Sequence, residues 1–325
     1  MIFNKKTIIL KRLILVGILT VFLLSLYLLQ LQPNKSKQKS TAHEEPFVKI
    51  LIGYHKKPKT LIKGEVFVPI HLGRDVNLDE PFHTGINLTQ SKPNPKDHQW
   101  LQNNMIGDNT GDNISKFNRQ YCEITGVYWA LKNLDKLGNP KYIGNFHYRR
   151  QLNFKNEKNF VDEVKFFNGT ADEKYRKEIG LDEETIKNTI KNYDIILPRP
   201  FNFEEGVNLY THTKIYHPIE SLDICFDSIK KRHPEYSESV DIAKDLKSAY
   251  FSNLWIMKKE IFEKLCALAF DSLEDVRKTL NPQKCNTDAI CAYVFERLFN
   301  VFIVKEKLEK NHTMLELEKT WLTDP

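Results

Sequence analysis

Residues 13–31 (LILVGILTVFLLSLYLLQL) form an unbroken apolar run, whereas beyond residue 46 short apolar stretches alternate with longer amphipathic ones. At about 1.5 Å per residue the uncharged run reaches across a hydrocarbon core about 30 Å thick. It predicts a spanning anchor rather than a cleaved leader, which would have a shorter apolar centre and a small-residue cleavage pattern. Lys5, Lys6, Lys11 and Arg12 precede the run and Lys35, Lys37 and Lys39 follow it, so the flanking charge favours a cytoplasmic amino terminus by a narrow margin. The expected organisation is a tail over 1–12, an anchor over 13–31, a polar aperiodic stem over 32–46, one folded domain over 47–305 and a C-terminal tail over 306–325.

Within the folded part, residues 47–54 (FVKILIGY), 65–72 (EVFVPIHL), 141–149, 193–197 (YDIIL) and 251–257 (FSNLWIM) read as strands. Helical patterns cover 115–137, 182–192, 218–231, 237–248, 259–280 and 286–300, with a closing strand expected at 301–304. Residues 73–112 are polar and interrupted by Pro81, Pro93 and Pro95, and read as a long loop. Strands alternating with helices predict an α/β domain with a mostly parallel central sheet.

Composition narrows this little: 325 residues, 41% hydrophobic and 28% charged, describe a chain that buries a substantial core and is not disordered. The net charge of +6 is dispersed, which excludes an extended nucleic-acid footprint but leaves room for a small anion. The five cysteines lack a C-x-x-C pair, which argues against a zinc cluster. They are expected as buried thiols, with one bridge involving Cys285 left open. Glycosylation patterns at Asn34, Asn87, Asn113, Asn168 and Asn311 would suit a lumenal domain.

Four segments can carry chemistry. Residues 107–115 (GDNTGDNIS) form a Gly/Asp/Asn turn running into a helix, a setting in which backbone N–H groups hold phosphate and Asp108 and Asp112 bind sugar hydroxyls or a cation. Residues 142–150 (YIGNFHYRR) are an apolar strand ending in a cationic tip. Ligands of open α/β sheets bind at the carboxyl ends of strands, and an arginine fork suits a diphosphate. Alternation puts Asn145, His147 and Arg149 on one face and Tyr148 and Arg150 on the other. The helix carrying Tyr121, Glu123, Thr125, Tyr128 and Trp129 sets a carboxylate among aromatics, for a sugar hydroxyl or an ion pair with an arginine. Asp288, beside Asn286 and Thr287, is a candidate base toward an acceptor hydroxyl, with helix capping as the plainer account of its neighbours.

Taken together, KILIGYHK, VPIHLG, GDNTGDNIS with NRQYCEITGVYWALKN, YIGNFHYRR and, later, DIILP, NLWIMKKE and ERLFNV resemble, in order over residues 48–304, a glycosyltransferase family of the GT-A superfamily named only as a domain of unknown function. The resemblance implies a GT-A-like, Rossmann-like nucleotide-sugar domain that moves a hexose, with galactose and a UDP-sugar favoured, to a glycan hydroxyl. It implies a donor site around Asp108, Asp112, Asn113, Ser115, Tyr121 and Glu123, with His147, Arg149 and Arg150 where many GT-A enzymes carry an Asp-x-Asp metal motif. No Asp-x-Asp occurs in this chain, so the arginines are expected to neutralise the diphosphate without a required cofactor. Mn²⁺ or Mg²⁺ on Asp108 and Asp112 is the alternative. His147 and Asp288 are the catalytic candidates, and the partners expected are a nucleotide sugar, a glycan acceptor and, through 13–31, a membrane. An anchor with a stem also resembles a type II Golgi enzyme, with a bacterial inner-membrane enzyme second. A membrane-anchored carbohydrate-binding protein without catalysis is the competing class.

Overall fold

The computed structural model describes residues 47–79, 94–155, 164–280 and 288–325, with the backbone of 82–84 and 89–91. The expected anchor, stem and amino-terminal tail, together with Cys285, Asn286 and Thr287, lie outside these residues.

The centre of the fold is a ten-stranded mixed sheet. Along its main path the strands run Met314–Leu317, Ile195–Pro198, Trp255–Lys258, Tyr142–His147, Val48–Tyr54, Phe67–His71 and Ile106–Gly107. Trp255–Lys258 is antiparallel to both neighbours, and the other pairings are parallel. Val48–Tyr54 (VKILIGY) is buried along almost its whole length, the near-continuous apolar run of a strand covered on both faces. Side chains of the flanking strands close over Gly144. A Cβ on Gly144 would stand 2.9 Å from Ile50 Cγ1 and 3.0 Å from Ile256 Cγ1.

Two apolar layers cover the sheet. On one face, helices Ile124–Lys132, Ile219–Arg232, Lys259–Thr279 and Ile290–Glu309 bury Trp129, Phe226, Phe262 and Phe302. On the other, Glu183–Ile190 and Pro95–Asn104 contribute Ile186, Ile190 and Leu101. Glu183–Ile190 starts as its sequence predicts, with Asp182 accepting from Thr185 N at 2.8 Å.

Several expectations are corrected. The stretch 73–112 contains the helix Pro95–Asn104, and Pro95, read as a breaker, occupies the first turn, where its missing N–H costs nothing. The helix expected over 115–137 is broken at Cys122, whose φ of 45° stops Asn118–Tyr121 before Ile124–Lys132 begins. The strand expected at 301–304 is helix, because Ile290–Glu309 is buried around its circumference and an all-apolar helical turn reads like an inner strand. Residues 306–325, read as a tail, finish that helix and supply Met314–Leu317 and Lys319–Leu322 to the sheet. Cys122, Cys225, Cys266 and Cys291 are free thiols.

Candidate functional site

The parallel strands deliver their carboxyl ends to one edge of the sheet, and most of the residues singled out in the sequence gather there in two corners. One corner is built on Asp108, which follows Ile106–Gly107. It is fully buried, and its two oxygens accept from Gly73 N (2.7 Å), Arg74 N (3.1 Å), Ser115 Oγ (2.5 Å) and Thr125 Oγ1 (2.6 Å). Gly73 sits at φ 67°, which turns its N–H toward the carboxylate after Phe67–His71 ends. Asn113 closes the same loop: its amide donates to Asn109 O and Gly111 O, and Ser115 N donates to its Oδ1. Trp129 Nε1 reaches back to Thr110 O at 2.9 Å. A carboxylate has about four lone-pair positions, and all four on Asp108 are taken. The residue assigned to sugar or cation binding is therefore a brace between three loops, and it has no free lone pair for a cation. Among the described residues no group of three His, Cys, Asp or Glu side chains is placed to hold a metal ion.

Asp112 and Tyr121 point elsewhere. The exposed Asp112 accepts from Tyr128 Oη at 3.3 Å, and the buried Tyr121 donates to Glu274 at 3.3 Å on the helical face. His71, buried at the end of its strand, accepts from Arg74 Nε at 3.3 Å and lies 4.6 Å, centroid to centroid, from the His98 ring. Burial, followed by the nearby His98 and Arg74, lowers its pKa to about 3, so its imidazole is neutral.

The second corner is built on the tip of the central strand. Tyr142–His147 stops at His147; Tyr148 and Arg149 turn, and Arg150–Leu152 runs back antiparallel, with His147 opposite Arg150. The alternation expected through Arg149 is thus interrupted, and the two arginines come to one side. Their guanidinium carbons lie 4.8 Å (Arg149) and 4.1 Å (Arg150) from the centroid of the Trp321 ring. The Nε atoms of both are buried without a hydrogen-bond partner, and neither guanidinium forms an ion pair among the described residues. Burial, and then the charge of Arg149, lower the pKa of Arg150 below the ordinary arginine value. His147 is held neutral in the same way, by burial first and then by Arg150.

Facing this tip is a strained bend before Trp255–Lys258. Ser252 and Asn253 both have positive φ, 84° and 49°, a conformation that costs non-glycine residues and persists only where the surroundings enforce it. The enforcement is visible. Glu296 accepts from Ser252 N at 2.7 Å, Asn145 Nδ2 donates to Asn253 O at 2.7 Å, and Asn253 Nδ2 donates to Glu123 Oε1 at 2.6 Å. Lys319 Nζ donates to Ser252 Oγ at 3.1 Å. Behind the bend, Glu296 pairs with the buried Arg297 at 3.1 Å, and burial raises its carboxyl pKa. Glu123 is therefore not a mid-helix residue but stands at the break opened by Cys122. Both Glu123 and Glu296 lie near enough to Arg150 to favour its charge. Asp288, beside Ala289 at the start of the last helix, is close to Cys122 together with Glu123 and Glu296.

Of the sequence candidates, Glu123, His147, Arg149 and Arg150 share this corner; Asp108, Asn113 and Ser115 form the adjoining brace; Asp112 and Tyr121 belong to neither. Sequence reasoning missed Lys319 and Trp321, because they lie in the stretch read as a tail. Alternation in TMLELEKTWL was the signal that could have found them.

A sheet edge in an α/β domain that gathers two cations without ion-pair partners, framed by carboxylates and amides, has the chemistry to receive an anionic small molecule. Residues 49–307 match the family model of DUF4422, a domain of unknown function, and the chain belongs to that family. It is also similar to the solved apo structure of WbbM, a bifunctional glycosyltransferase, at 29% identity and a TM-score of 0.71. That likeness covers 85% of this chain and 45% of the other, so the chain spans about half the length of that structure. No protein of curated function matches the chain in sequence.

Proposed function

We propose that the protein is a glycosyltransferase that takes a nucleotide-diphosphate sugar at the arginine corner and passes the sugar to a glycan hydroxyl. The observation that carries this is the unpaired couple Arg149 and Arg150 at the carboxyl end of the central strand, within the family-matched residues. The likeness to a bifunctional glycosyltransferase supports the same reading. A hexose, with galactose favoured, and UDP as the carrier are the finer assignments we propose from the family resemblance.

In the reaction the acceptor oxygen bonds to the anomeric carbon as the bond from that carbon to the diphosphate oxygen breaks. The nucleoside diphosphate leaves with the electron pair. Arg149 and Arg150 stabilise the charge that grows on it, and guanidinium forks suit phosphate oxygens better than a point charge does. We assign the diphosphate's charge to these arginines rather than to a Mn²⁺ or Mg²⁺ ion, since Asp108 has no acceptor capacity left. The acceptor hydroxyl's proton needs a base. Between the sequence candidates, His147 is disfavoured by its depressed proton affinity, and Asp288 lies near Cys122, as does Glu123, whose Oε1 accepts from Asn253 Nδ2. Glu123 is the base we propose, with Asp288 as the alternative. The apolar run at 13–31 would hold this domain at a membrane, in the type II orientation, facing the Golgi lumen in a eukaryote or bound to the inner membrane of a bacterium.

Calorimetric titration of the full chain with UDP, with and without Mn²⁺, tests the reading. Metal-independent binding that disappears in an Arg149→Ala, Arg150→Ala variant is the expected result. Absence of any nucleotide binding would shift the assignment to a carbohydrate-binding protein, and binding that requires Mn²⁺ would take the diphosphate away from the arginines.

A further inference from the structure

Two guanidiniums side by side repel each other, and no carboxylate among the described residues pairs with either. Glu123 and Glu296 favour the charge of Arg150 from beyond ion-pair distance, and the contact that gathers both guanidiniums is aromatic. Trp321 lies on Lys319–Leu322, directly opposite Arg150 in the register of the antiparallel pair. Both guanidinium carbons sit over its ring, at 4.1 and 4.8 Å, while the Tyr148 ring is more distant from Arg149 at 5.9 Å. The strand is fixed independently of the indole. Leu322 N donates to Arg149 O at 2.8 Å, and Thr320 Oγ1 meets Tyr175 Oη at 2.6 Å and donates to Gln151 O at 3.1 Å.

An aromatic face holds a cation in a way that a carboxylate cannot. A carboxylate would take up the N–H donors and cancel the charge, whereas the indole attracts the guanidinium through its ring quadrupole and leaves the fork of donors and the net charge available. Trp321 also lies beyond residues 49–307, the part of the chain that the family model matches. We infer that Trp321 is a positioning residue for Arg149 and Arg150, and that the final strand of this chain thereby completes a diphosphate-binding site begun by the family-matched residues. The inference rests on the reading that these arginines receive a diphosphate.

The test is calorimetric titration of the full chain with inorganic pyrophosphate and with UDP. It compares wild type, Trp321→Leu, Trp321→Phe, the Arg149→Ala, Arg150→Ala double variant and that double variant carrying Trp321→Leu. Removing the ring should weaken pyrophosphate binding by about tenfold, phenylalanine should restore most of it, and the leucine change should add nothing once the arginines are gone. Wild-type affinity in Trp321→Leu overturns the inference, as does a further loss when leucine is added to the arginine-free variant. If the leucine variant does not fold, a Trp321→Tyr variant is added: pyrophosphate affinity falling from wild type through Trp321→Tyr to Trp321→Phe supports the inference, and equal affinities overturn it. Wild-type protein that takes up neither probe removes the diphosphate reading itself. Binding that is lost with the arginines but indifferent to Trp321 removes only the positioning role.

Discussion

The two corners of the sheet edge differ in how their charges are met. At the Asp108 corner a single buried carboxylate receives two backbone N–H groups and two hydroxyls, so that its charge and all its lone pairs are spent inside the protein. At the Arg149 and Arg150 corner two cations are gathered over one indole, with Nε atoms unpartnered. Buried charge that is fully paired is part of the structure, whereas charge without an ion-pair partner leaves capacity for one. Both segments look equally functional in the sequence, and only the count of satisfied donors and acceptors separates them.

The largest effect that tests this contrast is on stability. Asp108→Ala leaves Gly73 N, Arg74 N and Ser115 Oγ without their carboxylate acceptor and Thr125 Oγ1 with Cys122 O alone, so it should cost about 3–5 kcal/mol of unfolding free energy, read by urea or thermal denaturation. A ligand-binding aspartate would instead lose affinity at nearly unchanged stability, and that outcome would dissolve the distinction between the corners. The Arg149→Ala, Arg150→Ala variant should behave in the opposite way. Each charge-assisted contact contributes about 1.5–3 kcal/mol, so UDP affinity should fall by roughly two orders of magnitude or more. The melting temperature should hold or rise, because two adjacent like charges have been removed. A large drop in melting temperature would mean that the arginines, like Asp108, are chiefly structural.

How far the sequence reveals this depends on the range of the interaction. Val48–Tyr54, Tyr142–His147 and Glu183–Ile190 are legible because periodicity and capping are local. The cationic tip at 149–150 is legible because a sharp change from apolar to charged residues marks a strand end. What escapes is everything set by distant pairing. Asp108 is satisfied by Gly73 and Thr125, which lie 35 and 17 residues away. The bend at Ser252 and Asn253 is held by Glu296, Asn145 and Glu123, and no window of sequence contains all five. Trp321 meets Arg150 only because Lys319–Leu322 returns to the sheet. Tyr148 and Arg149 defeat the alternation rule because the strand turns back at them, so a period of two places Arg149 wrongly.

Titration sharpens the comparison, since each corner holds a histidine kept neutral. Burial lowers the pKa of His71 to about 3, and His147, beside Arg150, is lowered in the same direction. His212 and His217, near Arg297, are lowered to about 4 and about 3, burial again being the main cause. In the unfolded chain these imidazoles take up protons near pH 6.5, whereas in the folded chain His71, His212 and His217 stay unprotonated until about pH 3–4 and His147 is shifted in the same direction. The unfolded form therefore binds more protons across that window. Their contribution to stability is complete above about pH 6.5 and is lost progressively as the pH falls toward 4. Thermal denaturation from pH 7.5 to 4.5 should show a melting temperature that is flat at first and then declines. His71→Gln should make the decline shallower, and an unchanged slope would mean that His71 already carries its proton when folded.

The smallest expected effect lies at Asp112, just outside the brace. Its side chain is exposed and accepts one hydrogen bond, from Tyr128 Oη at 3.3 Å, while the aromatic ring of Tyr128 is independently packed edge-on against Phe270 at 4.9 Å. An exposed bond of that length adds little to a ring already held by packing, so Asp112→Asn should shift unfolding free energy by less than about 0.5 kcal/mol. Because Asp112 touches neither corner, UDP affinity should stay within about twofold of wild type in the same preparation. A strong loss of UDP binding in Asp112→Asn, with stability intact, would show that the donor site extends across the Gly/Asp/Asn turn. The Asp108 corner would then join the ligand-binding side of the comparison, with Asp112 as its exposed arm.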